Sequence, residues 1–106
     1  MRDRIWLSFD LGFGRDHQGM YRWLIDRRAR ECGPAVATLL YSYDDDLVEE
    51  LQADLGRAVD IHNGDRIYLI HKDHDDGEVA GRFIFGGRGQ NPQDEFVPHT
   101  AFSTLH

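Results

Sequence analysis

Apolar and polar positions along the chain alternate between strand-like and helix-like periods. Arg4-Ile5-Trp6-Leu7-Ser8-Phe9-Asp10 reads as a buried strand that stops at a carboxylate, and Leu11-Gly12-Phe13-Gly14 turns the chain toward a helix. Residues 16–31 carry helical spacing, with Met20, Trp23 and Leu24 on one face, extended by the aliphatic stem of Arg27. Asp16 is placed to cap that helix, and Cys32-Gly33-Pro34 is placed to end it, because glycine adopts left-handed backbone readily and proline does not continue a helix. Val36 to Tyr43 forms a second strand without clean alternation, which points to burial on both faces or to a bend partway along. Asp44-Asp45-Asp46 opens a second helix, in which Val48, Leu51, Leu55 and Val59 mark one stripe. Asp46 and Glu49 have capping-box spacing.

Asn63-Gly64-Asp65 is turn chemistry, followed by the strand Arg66 to His71. Asp75-Asp76-Gly77 signals a hairpin into the strand Gly81 to Gly86. Each helix has a single apolar stripe, so both are expected on one face of one sheet. The fold expected is α+β, a ferredoxin-like sandwich with one mainly antiparallel sheet and two helices on one face. Residues 1–86 make the domain. Residues 87–106, rich in Gly, Pro, Gln and Asn, make a tail that is either a frayed end or a segment extending over a dimer partner. The second sheet face needs a cover, and a copy of the same chain related by a two-fold axis is the simplest one.

Composition narrows the picture. The 106 residues fit one domain, and 41% hydrophobic with 11% aromatic residues suits a globular core. No apolar run approaches the ~20 residues that span a bilayer, and the N-terminus lacks a signal-peptide pattern. These features, with a single cysteine, Cys32, fit a cytoplasmic protein that makes no membrane contact. Cys32 is expected as a structural thiol at a helix end. Twelve basic against nineteen acidic residues give a net charge of −7, which disfavours nucleic acid as a general partner. The basic residues expected to cluster are Arg22, Arg27, Arg28 and Arg30 on the first helix, with Arg82 and Arg88 flanking the last strand.

Asp10 is the strongest candidate by position, since open α/β sheets place their chemistry at the carboxyl ends of strands. Arg15, His17 and His71 are the candidates to support it. His71, Asp73, His74, Asp75 and Asp76 offer ligands for Zn²⁺ or Ni²⁺, but they straddle a hairpin, which reads as a solvated turn. The three aspartates at 44–46 are accounted for by capping without a metal. Gly12-Phe13-Gly14 lacks the remaining residues of a nucleotide-binding loop. Trp6, Phe83 and Phe85 have the chemistry to stack bases on a sheet surface, although core packing or a dimer interface accounts for them more simply.

The order of elements resembles the ferredoxin-like family of the small CRISPR adaptation nuclease and its relatives such as the virulence-associated protein VapD. The residues that carry the resemblance are Ser8-Phe9-Asp10, where the family has a strand ending in Tyr-Asp, and Arg66-Ile67-Tyr68-Leu69, close to the family's Arg-Ile-Tyr ending. The strand Val36 to Tyr43, the acidic-capped helix Asp46 to Val59 and the strand Phe83-Ile84-Phe85-Gly86 follow in the same order. The resemblance spans residues 4–86. It implies a bend near Leu39 or Leu40 that splits the middle strand in two. It also implies a homodimer with Asp10 of each subunit at the interface, and a Mg²⁺ ion held there if the protein is an endoribonuclease. The family's polar Arg-Val-Gln-Asn-Ser-Val-Phe-Glu strand is replaced here by Ala35 to Ser42, which keeps only the apolar outline. The function expected is therefore a small homodimeric accessory or regulatory protein acting through an unknown protein partner, in a prokaryotic defence or toxin–antitoxin setting. The alternatives are the Mg²⁺-dependent endoribonuclease, with Asp10 as metal ligand, and an acidic inhibitor that occupies the basic surface of a nucleic-acid-binding protein.

Overall fold

The computed structural model describes residues 1–86. Strand β1 spans Arg2–Asp10, helix α1 His17–Asp26, strands β2 and β3 Arg30–Gly33 and Val36–Ser42, helix α2 Leu47–Ala58, and strands β4 and β5 Arg66–Lys72 and Val79–Phe85. The strands form one sheet in the order β2-β3-β1-β4-β5, with every neighbouring pair antiparallel. The first four strands run in the order 4-1-3-2 of split βαβ folds, and β5 adds a fifth strand outside β4, so the sheet departs from the strict four-stranded ferredoxin-like pattern. The architecture is α+β with both helices on one face. The tail expected at 87–106 lies outside the described residues.

β1 is the hinge of the sheet. It is the central strand, and its residues alternate between two environments. Ile5, Leu7 and Phe9 are buried toward the helices, while Arg2, Arg4, Trp6, Ser8 and Asp10 face the other way and are exposed. The strand read as buried is thus buried on one face only. The inner residues of the neighbouring strands, Ala37, Leu39, Tyr41, Ile67 and Leu69, join one core with Met20, Trp23 and Leu24 of α1 and Leu47, Leu51 and Leu55 of α2. β3 follows the same rule. Its outer residues Val36, Thr38, Leu40 and Ser42 include apolar side chains, which hid the alternation.

Two boundaries differ from the sequence expectation. The first helix stops at Asp26 rather than near residue 31, in a Schellman motif: Ala29 N–H donates to Leu24 O (2.9 Å) and Arg28 N–H to Ile25 O (3.0 Å). Arg28 fills the left-handed position, at φ 56°, where glycine is the usual residue. The chain then makes β2 and a tight turn through Pro34 and Ala35 into β3. Cys32-Gly33-Pro34 therefore belongs to a hairpin, Cys32 is an exposed strand residue, and the bend expected near Leu39 or Leu40 is replaced by this turn.

Helix α2 is capped by Asp46, whose carboxylate accepts from Glu49 N–H at 3.0 Å. The returning arm of the box is Glu50 rather than Glu49. Its carboxylate accepts from the backbone N–H groups of Asp44, Asp45 and Asp46 at 2.9, 2.7 and 2.9 Å, and these bonds hold its pKa below the ordinary glutamate value. The triple aspartate thus supplies backbone donors to a carboxylate, as a capping role requires.

The left-handed Arg28 yields a test. Arg28→Gly removes the Cβ strain at that position, against the greater freedom glycine gives the unfolded chain, and should stabilise the fold by about 0.5–1 kcal/mol. Equilibrium denaturation reads this as a higher midpoint at unchanged slope; a lower midpoint would mean that the arginine side chain contributes more than its backbone strain costs.

Candidate functional site

The carboxyl end of β1 is organised by a residue that sequence reading treated as part of a turn. Asp65 is the one buried charged residue among the described residues, 1% exposed. Its Oδ1 accepts from Gly12 N–H at 3.0 Å and from Arg15 Nε at 3.3 Å, and its Oδ2 accepts from His62 N–H at 2.9 Å. Burial pushes its pKa up, but these donors and the Arg15 charge outweigh burial and leave it below the ordinary aspartate value. Arg15 also donates to Asn63 O at 3.1 Å, and His17 Nε2 lies 3.1 Å from Gly12 O. Arg15 therefore fastens the Gly12–Gly14 loop to the loop before β4, while His17 braces that loop against the start of α1. Gly86, at φ 81°, completes the junction, since a Cβ there would lie 2.3 Å from Asp65 O.

Asp10 stands at this end but on the other face. It is exposed, and its register neighbour on β4 is Arg66. His71 pairs in register with Ile5, five residues along β4 from Arg66, at the opposite end of the sheet. The structure brings Arg15 and His17 together around Gly12, close in sequence to Asp10, and does not bring His71 to them. Among the described residues, no group of three or more His, Cys, Asp or Glu side chains is arranged to hold a metal ion.

The acidic hairpin after β4 is a turn, closed by Asp73 N–H to Glu78 O at 2.7 Å and Gly77 N–H to Asp73 O at 2.8 Å. His74 leaves it to set Nε2 2.7 Å from Asp3 Oδ2, the same oxygen that accepts from the Tyr43 hydroxyl. The Asp3 bond, with burial, raises the Tyr43 pKa to about 12. Burial raises the Asp3 pKa, and the Tyr43 and His74 contacts outweigh it and lower the value overall. This cluster ties the β4–β5 hairpin to the start of β1.

The surface with the chemistry to meet a partner is the outer face of the sheet. Among the described residues, neither helix covers it. Register arranges its residues in rows across the strands: Thr38, Trp6, Ile70 and Gly81 in one, and Val36, Ser8, Tyr68 and Phe83 in the next. Trp6 is 37% exposed and Leu40 44%. The Tyr68 ring lies against the Gly81 backbone, where any Cβ would stand 2.5 Å from its hydroxyl oxygen, and meets Phe83 edge-on with centroids 4.8 Å apart. Phe85, by contrast, turns inward across a bulge, within 3.7 Å of a Cβ built on Gly56 of α2.

Cations flank the aromatic rows. Arg2 and Arg4 on β1, Arg30 on β2, and Arg66 and Lys72 on β4 all occupy outer positions, against a single strand carboxylate, Asp10. The basic cluster expected on the first helix is divided instead. Arg30 belongs to β2, and Arg27 lies over Trp23 (4.4 Å to the ring centroid) and bonds Asp54 at 2.8 Å. Arg88 lies outside the described residues. Sequence reading missed the outer-face set, although Arg2, Arg4, Trp6, Ser8 and Asp10 recur at the strand period of two.

No family model, curated protein or solved structure matches the chain. No helix among the described residues is long and apolar enough to cross a membrane.

Asp65 carries a sharp prediction. Asp65→Ala leaves two partly buried backbone N–H donors and Arg15 without their acceptor and should destabilise the fold by about 1–3 kcal/mol. Because the folded pKa is lowered, the wild-type contribution is complete above the unfolded value of 3.8 and disappears as pH falls through the lower folded value. Stability measured between pH 7 and pH 2.5 should therefore fall less steeply in Asp65→Ala than in the wild type; parallel curves would remove Asp65 from its central role.

Proposed function

We propose that the protein is a binding module that docks an anionic partner on the outer face of its sheet. One observation carries this reading: five cationic side chains and one carboxylate share the strand positions of that face, on a chain whose net charge is −7. Among the described residues the other acidic groups lie off that face, the densest of them in the hairpin turn at Asp73, Asp75 and Asp76 and at the start of α2 at Asp44, Asp45 and Asp46. A field segregated in this way attracts a partner by one surface while the rest of the molecule repels it, which orients the encounter.

The accessory role expected from sequence is kept in this reading, with the partner's charge now specified. A two-fold copy of the chain is the rival occupant, favoured by the exposed apolar groups Trp6 and Leu40. Face-to-face copies would bring two sets of five cations into one interface, so an anionic partner has the better electrostatic fit. Metal-dependent cleavage centred on Asp10 has less support. Arg15 and His17 are engaged in holding the Gly12 loop, and His71 belongs to the far end of β4.

Heparin, a polyanion without bases, tests the docking directly. A protein of this net charge should pass through a heparin column unless one face is locally cationic. We expect retention at low salt, elution as ionic strength rises through the range where the Debye length shrinks to about 10 Å, and earlier elution of the double variant Arg4→Glu, Arg66→Glu. Flow-through of the wild type at both low and intermediate ionic strength overturns the proposal.

A further inference from the structure

We infer that the anionic partner of the outer sheet face is single-stranded nucleic acid, with bases stacked on Trp6 and on the Tyr68–Phe83 pair. This inference rests on the docking reading above and adds to it the identity of the polymer. Phosphate attraction alone would be served by cations on any surface. Here the cations enclose aromatic rings held in a defined arrangement, and that arrangement needs a ligand with flat apolar groups as well as charge.

Trp6 and Tyr68 lie on adjacent strands in neighbouring rows, since Trp6 pairs with Ile70 and Ser8 with Tyr68. Diagonal positions of this kind stand about 7–8 Å apart along the backbone, and the Tyr68 ring leans away from Trp6 over Gly81, so the two residues offer separate platforms. The Tyr68 ring is fixed from below by the bare backbone of Gly81 and from the side by Phe83. A ring pinned in this way loses little freedom when a base stacks on it, which favours affinity. The Tyr68 phenol is neutral at physiological pH, and burial raises its pKa further, so it adds no charge repulsion against phosphate.

The cations then lie where a backbone would run. Arg4 and Arg2 continue β1 beyond Trp6 at one end of the rows, with Lys72 beside them on β4, and Arg66 closes the other end beside Asp10. Arg30 occupies the β2 edge in register with Thr38, the residue that heads the Trp6 row. A strand crossing the sheet from β2 to β5 thus meets charge at its flanks and rings in its middle. Duplexes hide their base faces in the stack and meet the rings only at their ends, so the single-stranded form is the one recognised.

The intact chain, titrated with twelve-residue oligo(U) or oligo(dT) and in parallel with inorganic polyphosphate, tests this. Tryptophan fluorescence should be quenched saturably by either oligonucleotide and not by polyphosphate, with Trp23 buried and silent. Trp6→Ala, followed by the fluorescence anisotropy of an end-labelled oligonucleotide because it removes the intrinsic reporter, should weaken oligonucleotide binding about ten- to hundredfold, in line with the loss of one stacked base, and Trp6→Tyr, read in the same way, should restore most of it. Thermal melts of both variants control for folding. Equal affinity for polyphosphate and oligonucleotide, unaffected by Trp6→Ala, overturns the stacking inference and leaves the docking reading intact. Failure of all three polymers to bind, with sedimentation of a dimer in which Trp6 is shielded from quenchers, overturns both. Shielding of Trp6 in a monomer, relieved by removal of residues 87–106, assigns the face to the chain's own tail and also overturns the inference.

Discussion

Packing of Ile5, Leu7 and Phe9 on the central strand against the apolar stripes of α1 and α2 is the contact on which the other elements depend. Both helices return to the same side of the sheet, so the centre of the inner face is apolar and the outer face is left to whatever the alternate positions carry. Polarity on the outside is common in such sheets. What distinguishes this one is that the alternate positions combine aromatic rings with cations. A helix on the second face would have demanded apolar residues at Arg2, Arg4, Arg66 and Lys72. Their charge fits that face for water or for an anion.

The loops at the carboxyl end of β1 are held by the same economy of contacts. Asp65 spans the β1–α1 loop and the loop before β4 by accepting two backbone bonds and one guanidinium bond. A single buried carboxylate is expensive unless its donors are all in place, and here Gly12, His62 and Arg15 provide them. The consequence for the outer face is indirect but physical. Arg66 follows Asp65 directly, and Asp10 precedes the Gly12 loop by two residues, so fixing the junction fixes the register at which these two opposed charges meet. Asp3 has a comparable role at the other end, where Tyr43 and His74 converge on it and anchor the hairpin that leads into β5.

The fold class, both helices, four of the five strands and the single-sided packing were legible in the sequence, because periodicity reports burial and both helices have one clear stripe. Strand β2 was not. Its four residues Arg30–Gly33 have no apolar alternation, and the helix before it stops at Asp26 with Arg28 in the left-handed position beyond its cap, a residue that gives no stop signal where glycine would have announced the boundary. Asp65 was invisible for another reason. Asn63-Gly64-Asp65 satisfies every rule for a turn, and long-range acceptance from Gly12, more than fifty residues away, leaves no local trace. The candidate face was half legible. Trp6 and Phe83 were identified as rings capable of stacking, while the cations around them are spread over three strands and converge only when register brings those strands together.

Net charge is the property most easily misread in this chain. A value of −7 argues against attraction to phosphate only if the charge is spread evenly over the surface. Screening in physiological salt confines each charge's influence to about 8 Å, so a partner lying on the sheet senses Arg2, Arg4, Arg30, Arg66 and Lys72 far more than the aspartates of the hairpin or the acidic start of α2. The distant carboxylates still matter, because at low ionic strength they repel the same polymer that the face attracts. Affinity on this face therefore need not fall monotonically with salt, as it does for a uniformly basic protein. Modest salt first screens the long-range repulsion and only then weakens the short-range contacts. A binding maximum at intermediate ionic strength is the signature that separates a segregated surface of this kind from a simple cationic one.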